Sequence, residues 1–142
     1  MKIELPTTLE EWNQRGADYL PGLLGLQFHA VEPDEVRASF DVSRSLMAWN
    51  GFLHAGAIVS LADTCCGYGT VRSLPEGADG FTTLDLTSNF LGTALKGTVE
   101  CCATPLHQGR TTQVWDAQLS ATDSGKTIAH FRCTQMILWP RA

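Results

Sequence analysis

Two side chains stand out within Gly51 to Val71, GFLHAGAIVSLADTCCGYGTV: the imidazole of His54 and the carboxylate of Asp63. The stretch reads as a loop, a turn through His54-Ala55-Gly56, and then a helix apolar on every side. Carboxylates are almost never fully buried without a partner, because desolvating the ionised form is costly. An acid where a core helix calls for leucine therefore needs an explanation: a structural cap, a pairing with an arginine, or chemistry. The start of the helix offers a second chemical element. Its first N–H groups lack intrahelical partners and carry the positive end of the dipole, so they can polarise a carbonyl. A metal site is not indicated, since no third ligand has suitable spacing. Nor is a cysteine nucleophile at Cys65 or Cys66, since nothing adjacent would lower the thiol pKa.

The elements around this helix follow from periodicity. Thr8-Leu9-Glu10-Glu11 is a capping-box pattern that starts a short helix running to about Leu20 and ending at Pro21-Gly22. Leu23 to Glu32 is the first expected strand, Pro33-Asp34 the turn, and Val36 to Val42 an alternating, half-buried second strand. Ser43 to Leu53 reads as a loop. After the long helix, strands are expected at Phe81 to Phe90, Lys96 to His107, Val114 to Ala121 and Thr127 to Leu138. Gln108-Gly109-Arg110 and Asp123-Ser124-Gly125 are the hairpin turns. Consecutive hairpins build an antiparallel sheet, and a helix apolar all round is best hidden by a sheet curling over it. The expected fold is one α+β domain spanning residues 1–142, with 1–22 as an N-terminal helical segment.

Composition bounds the function. A chain of 142 residues suits a single core. The net charge of −5 and the absence of any Lys/Arg run argue against a nucleic-acid surface. The first residues, MKIELPTTLEEW, carry acids where a signal peptide needs an apolar core, so a cytoplasmic protein is expected. Residues 51–71 could span a bilayer by length, but Asp63, His54 and four glycines favour a buried helix and no membrane partner. The five cysteines, Cys65-Cys66, Cys101-Cys102 and Cys133, have no C-x-x-C spacing and read as small buried hydrophobes in a reducing compartment.

Asn50-Gly51-Phe52-Leu53-His54-Ala55-Gly56 followed by Leu61-Ala62-Asp63-Thr64 resembles the signature of hotdog-fold acyl-CoA thioesterases, in the PaaI-like branch of the 4-hydroxybenzoyl-CoA thioesterase superfamily. The resemblance continues through Asn89-Phe90-Leu91, His107-Gln108-Gly109-Arg110-Thr111-Thr112 and Asp123-Ser124-Gly125-Lys126, and covers Gly25 to the end. It implies an antiparallel sheet wrapped around a long central helix, and hydrolysis of an acyl-CoA with no cofactor beyond the CoA of the substrate. Asp63 is the resembling position for the catalytic carboxylate, as nucleophile or as general base on water. The N–H of Ala55, assisted by Gly56, is the resembling oxyanion donor, where the family usually has His-Gly-Gly. His54 orients the loop or the thioester, and Asn50 matches an amide that positions water or substrate. Gly67 shares the face of Asp63 and leaves room for an acyl group. Asn89, Phe90, Leu91, Gly109, Arg110 and Thr111 fall at substrate-binding positions. Arg110 is the first choice for the CoA phosphates, with Lys96 and Arg72 behind it.

Two other functions fit a hotdog chain: a hydratase-dehydratase acting on enoyl or 3-hydroxyacyl thioesters, and a non-catalytic acyl-CoA-binding module. One geometric expectation applies to the enzyme readings. His54 and Asp63 are nine positions apart with helix between most of them, so their backbones lie roughly 11–14 Å apart. One helix cannot bring both its start and Asp63 to a single thioester carbon. A homodimer with shared active sites is expected, as in hotdog relatives, some of which pair dimers into tetramers.

Overall fold

A computed structural model describes residues 4–142, so the part of the sequence reading that rests on Met1-Lys2-Ile3 lies outside the described residues. Helix α1 (Leu9–Arg15) opens with the expected capping box: Thr8 Oγ1 accepts from the Glu11 N–H at 3.2 Å, and Glu11 Oε2 accepts from the Thr8 N–H at 3.4 Å. Its end differs from expectation. Gly16 caps it, because a side chain there would strike Pro21 and the Tyr68 hydroxyl. Pro21, expected as a stop, instead lies in the first turn of a separate one-turn helix α2 (Leu20–Leu23), where a missing N–H costs nothing. The apolar run that follows is therefore mostly helix and turn, and the first strand β1 covers only Gln27–Val31.

Strand β2 (Val36–Asp41) leads through a 3-10 turn (Arg44–Leu46) to the long helix α3 (Ala55–Arg72). Strands β3 (Gly80–Phe90), β4 (Thr98–Gln108), β5 (Thr112–Ala121) and β6 (Thr127–Leu138) complete the chain. The six strands form one antiparallel sheet in the order β1-β2-β4-β5-β6-β3. β3 thus forms one edge, reached from the end of α3, and the sheet curls over the helix as expected. Among the described residues no helix is long and apolar enough to cross a membrane.

Close contact between α3 and the sheet depends on small helix residues. Ala62, Cys65, Cys66 and Gly69 are buried beneath the strands. The Cys66 thiol meets Cys133 of β6 and the Cys65 thiol meets Cys101 of β4; these contacts and burial push Cys66 and Cys101 well above the usual thiol range, which excludes them as nucleophiles. Four cysteines are buried as expected, but Cys102 faces outward and is exposed. Gly69 has the tightest fit, for a methyl there would lie 2.4 to 2.8 Å from the ring of the fully buried Trp115. Trp115 is itself anchored through Nε1, which donates to Gln113 Oε1 at 2.8 Å.

This packing yields a measurable contrast between two glycines of one helix. Gly69→Ala should lower stability by about 1–3 kcal/mol through overpacking, more than the ~1 kcal/mol that alanine returns through helix propensity. Gly67→Ala, where the neighbour is the half-buried Phe81 at 3.2 Å, should cost less because that ring can give way. Urea unfolding midpoints measure both; equal midpoints for the two variants would contradict the tight seat of Trp115.

Candidate active site

The chain reaches α3 through a tight loop. Asn50 Oδ1 accepts from the Phe52 N–H at 3.2 Å, Gly51 takes a φ of +89° that only glycine adopts freely, and Met47 bridges to Leu53. The Leu53 N–H donates to Thr93 Oγ1 at 3.1 Å, tying the loop to the segment after β3. Asn50 is exposed at the tip, its carbonyl oxygen engaged in shaping the loop.

His54 caps the helix. Its Nδ1 accepts from the Gly56 N–H at 2.7 Å, which leaves the ring proton on Nε2. This corrects the expectation for Gly56, whose N–H is taken by the imidazole and is not free to assist an oxyanion. The Ala57 and Ile58 N–H groups return to the His54 carbonyl at 3.0 and 3.4 Å. Of the first helix donors, Ala55 is the one whose N–H makes no hydrogen bond among the described residues. It borders an open, largely apolar pocket of about 430 Å³ lined by Phe52, Leu53, Ala55, Ile58, Phe90, Gly92 and Thr93. A larger hollow of about 690 Å³ lies on the outer face of the sheet beside Asp116 and His130, and contains none of the expected site residues. Asp116 there is already paired with Arg132 at 2.6 Å, which holds its carboxyl below the usual range.

Asp63 sits two turns into α3. Its Oδ1 is buried and has no hydrogen-bond partner, and burial pushes its carboxyl above the ordinary aspartate value. Among the described residues no cation pairs with it and it caps no N–H, so the cap and arginine-pair readings find no support there. Gly67 lies one turn on, but the space beside it is filled by Phe81 of the same chain, 3.2 Å from where a Cβ would stand. Gly67 therefore admits an aromatic ring of its own fold rather than an open acyl channel.

The remaining expected residues separate into two groups. Phe90 lines the pocket beside Ala55, and Leu91 follows it, its N–H donating to the Ile128 carbonyl at 2.8 Å. Asn89 is paired in register with the exposed His130, on the face turned away from α3. Gly109, Arg110 and Thr111 form the β4–β5 turn at the opposite end of the helix. Gln113, two residues further, bonds to Ser73, the C-cap of α3. That is roughly 27 Å from Ala55 along the helix. The Arg110 guanidinium stacks over Trp139 at 4.3 Å, and Trp139 Nε1 donates to the Arg110 carbonyl at 3.0 Å. Lys96, ranked behind Arg110 from sequence, lies in the loop that adjoins Thr93 and hence the Ala55 end. Thr93 and Ser88 carried no sequence signal, being ordinary polar residues near a strand end.

Residues 50–128 match the family model described as the thioesterase superfamily. The 1,4-dihydroxy-2-naphthoyl-CoA hydrolase of Escherichia coli K12 is 30% identical over 133 residues, covering 92% of this chain and 95% of that protein. The thioesterase HI1161 of Haemophilus influenzae superposes with a TM-score of 0.86 at 30% identity, covering 97% of this chain and 95% of that one. A variant of the thioesterase PA1618 of Pseudomonas aeruginosa gives 0.87 at 30% identity, covering 95% and 96%. The chain belongs to the thioesterase superfamily and has its hotdog fold. It is a thioester hydrolase.

The environment of Asp63 sets a pH signature. A carboxyl whose pKa is higher folded than unfolded binds its proton more tightly in the native state. Its contribution favours the fold at low pH and is lost as pH rises from the unfolded value through the folded one. Asp63→Asn removes the buried charge while keeping the shape, so the variant should melt above the wild type at pH 8. The gap should close toward pH 4. A variant that melts below the wild type at pH 8 would show that Asp63 is a structural asset.

Proposed function

We propose that the protein hydrolyses acyl-CoA thioesters at sites shared by two protomers. The observation that carries the reading is the Asp63 carboxylate, desolvated and unpartnered within an apolar helix of a thioesterase fold. Asp63 serves as general base on water or as nucleophile, and the Ala55 N–H at the helix start receives the developing oxyanion. His54 acts from one step back: by capping the helix it fixes Ala55. Coenzyme A is the thiol, with Lys96 near the Ala55 end and Arg110 near the far end as cations for its phosphates. Stacking on Trp139 leaves the N–H edges of Arg110 free for such a contact.

The acyl group is proposed to be aromatic. Phe52 and Phe90 flank the pocket at Ala55, and two flat rings suit a flat acyl group. The name of the E. coli relative points to a substrate of that kind. Thiol release from a panel of aromatic and straight-chain acyl-CoAs tests both the activity and the preference. Absence of release from all of them would favour a binding module.

Sharing between chains follows from distance. Eight residues of helix separate Ala55 from Asp63, about 12 Å of axis, too far for one thioester carbon. β3 is an edge strand of eleven residues carrying exposed Leu84 and Leu86, which suits pairing with a second copy about a twofold axis. Asp63→Ala should lose on the order of 10²-fold or more in turnover while still binding substrate. Mixed with Ala55→Pro, which removes the oxyanion donor, it should recover about a quarter of wild-type activity in random dimers. No recovery after demonstrated subunit exchange would refute the shared site.

A further inference from the structure

The groups that this fold buries without satisfying are few. Among the described residues, the buried side-chain atoms with no hydrogen-bond partner are Asp63 Oδ1, Ser88 Oγ and the two amide atoms of Gln135. Ser88 is paired in register with Phe131, which is fully buried, so its hydroxyl stands on the sheet face that meets α3. Strand β3 runs antiparallel to α3. At one end Phe90 shares a pocket with Ala55 and Ile58; at the other Phe81 lies against Gly67. Ser88 is two residues back from Phe90, about 6.8 Å along the strand. Asp63 is five residues on from Ile58, about 7.5 Å along the helix. The hydroxyl and the carboxylate therefore both lie along the seam between helix and edge strand, between the Phe90 and Phe81 ends. Neither bonds to the other, although both oxygens are shut off from bulk solvent.

We propose that Ser88 and Asp63 together hold the water that attacks the thioester. The inference rests on the reading of Asp63 given above and chooses its general-base form. The water donates one hydrogen to Asp63 Oδ1 and the other to Ser88 Oγ. Its oxygen forms a bond to the thioester carbon while one proton passes to Asp63, and the carbonyl oxygen takes up negative charge at the Ala55 N–H of the other protomer. When that charge returns to rebuild the carbonyl, the C–S bond breaks. The thiolate takes the proton from Asp63, and the products are a carboxylic acid and free coenzyme A. Ser88 is unchanged throughout. By accepting one hydrogen, Ser88 Oγ aims the water's other hydrogen at Asp63 Oδ1, which favours the charged carboxylate.

The test uses Ser88→Ala and Ser88→Thr beside wild type, on whichever acyl-CoA of the panel turns over fastest. Loss of a neutral hydrogen bond to the attacking water should lower kcat by roughly tenfold, with KM changed less than twofold. Melting temperature should hold or rise in Ser88→Ala, because an unsatisfied polar atom has been removed, and Ser88→Thr should keep most of the turnover. A readout without substrate is the ¹³Cγ titration of Asp63, whose midpoint should move up in Ser88→Ala. Charged neighbours do not confound it: the ionisable group that Asp63 faces on α3 is the Cys66 thiol, which is unchanged between variants. Wild-type kcat in Ser88→Ala overturns the proposal. So does a fall in kcat that accompanies a lower melting temperature and is not restored by threonine, and so does an unmoved Asp63 titration. The underlying reading fails separately, by full turnover in Asp63→Asn, whatever Ser88 does.

Discussion

The closeness of α3 to the curled sheet is the constraint on which the rest of the structure depends. A helix that touches strands on most of its circumference needs small residues where the contact is nearest, and Ala62, Cys65, Cys66 and Gly69 provide them. The ring of Trp115 occupies the space that Gly69 leaves, and the thiols of Cys65 and Cys66 meet partners on β4 and β6. The same closeness excludes water from the flank of the helix next to β3. A carboxylate on that flank cannot be hydrated from one side and finds no cation on the other, which is what raises the Asp63 pKa. Packing, not a neighbouring charge, conditions the acid.

The start of the helix shows a division of labour among four N–H groups. Gly56 gives its proton to His54, while Ala57 and Ile58 return to the His54 carbonyl. The one donor left over, at Ala55, opens on the apolar pocket. A single N–H at the positive end of an eighteen-residue helix, in an apolar setting, is electrostatically stronger than the same group in water. The histidine in this arrangement is a cap that selects which donor is free. That role is compatible with the alanine after it: the free group is the backbone N–H of residue 55, and the helical conformation there does not require glycine.

Much of this was legible in the sequence where periodicity or chemistry was strong. The alternation of Val36, Ala38 and Phe40, the hairpin at Asp123-Ser124-Gly125 and the limits of the last strand all emerge as read. So does the long helix, because eighteen residues with one internal charge, Asp63, and a single arginine at the end admit few other structures. The N-terminal segment was misread because proline signals both a helix end and a helix start, and only tertiary contact with Tyr68 decides at Gly16. Gly67 and Gly56 were misassigned for a shared reason: a sequence shows that a side chain is missing or an N–H present, not what already occupies the space or bonds to it. Asn89 and Phe90 are adjacent letters, yet the pleat sends them to opposite faces. Ser88 was invisible, since an unsatisfied hydroxyl is a property of its surroundings.

Edge strand β3 links these points. A sheet of this size could hide its helix fully by adding one more strand beyond β3, and the chain does not do so. Instead eleven residues remain unpaired on one side, with apolar Leu84 and Leu86 exposed, beside the flank of α3 that carries Asp63. An open edge of that length risks uncontrolled pairing unless a defined partner covers it. Covering it with a second copy would satisfy the edge and complete the burial of the flank. It would also bring a second helix start within reach of Asp63 by symmetry alone. The unsatisfied groups at Asp63 and Ser88 then lie where a monomer is least finished. The same physical deficit, unburied surface next to unmet polar atoms, is what a second chain on this edge would relieve.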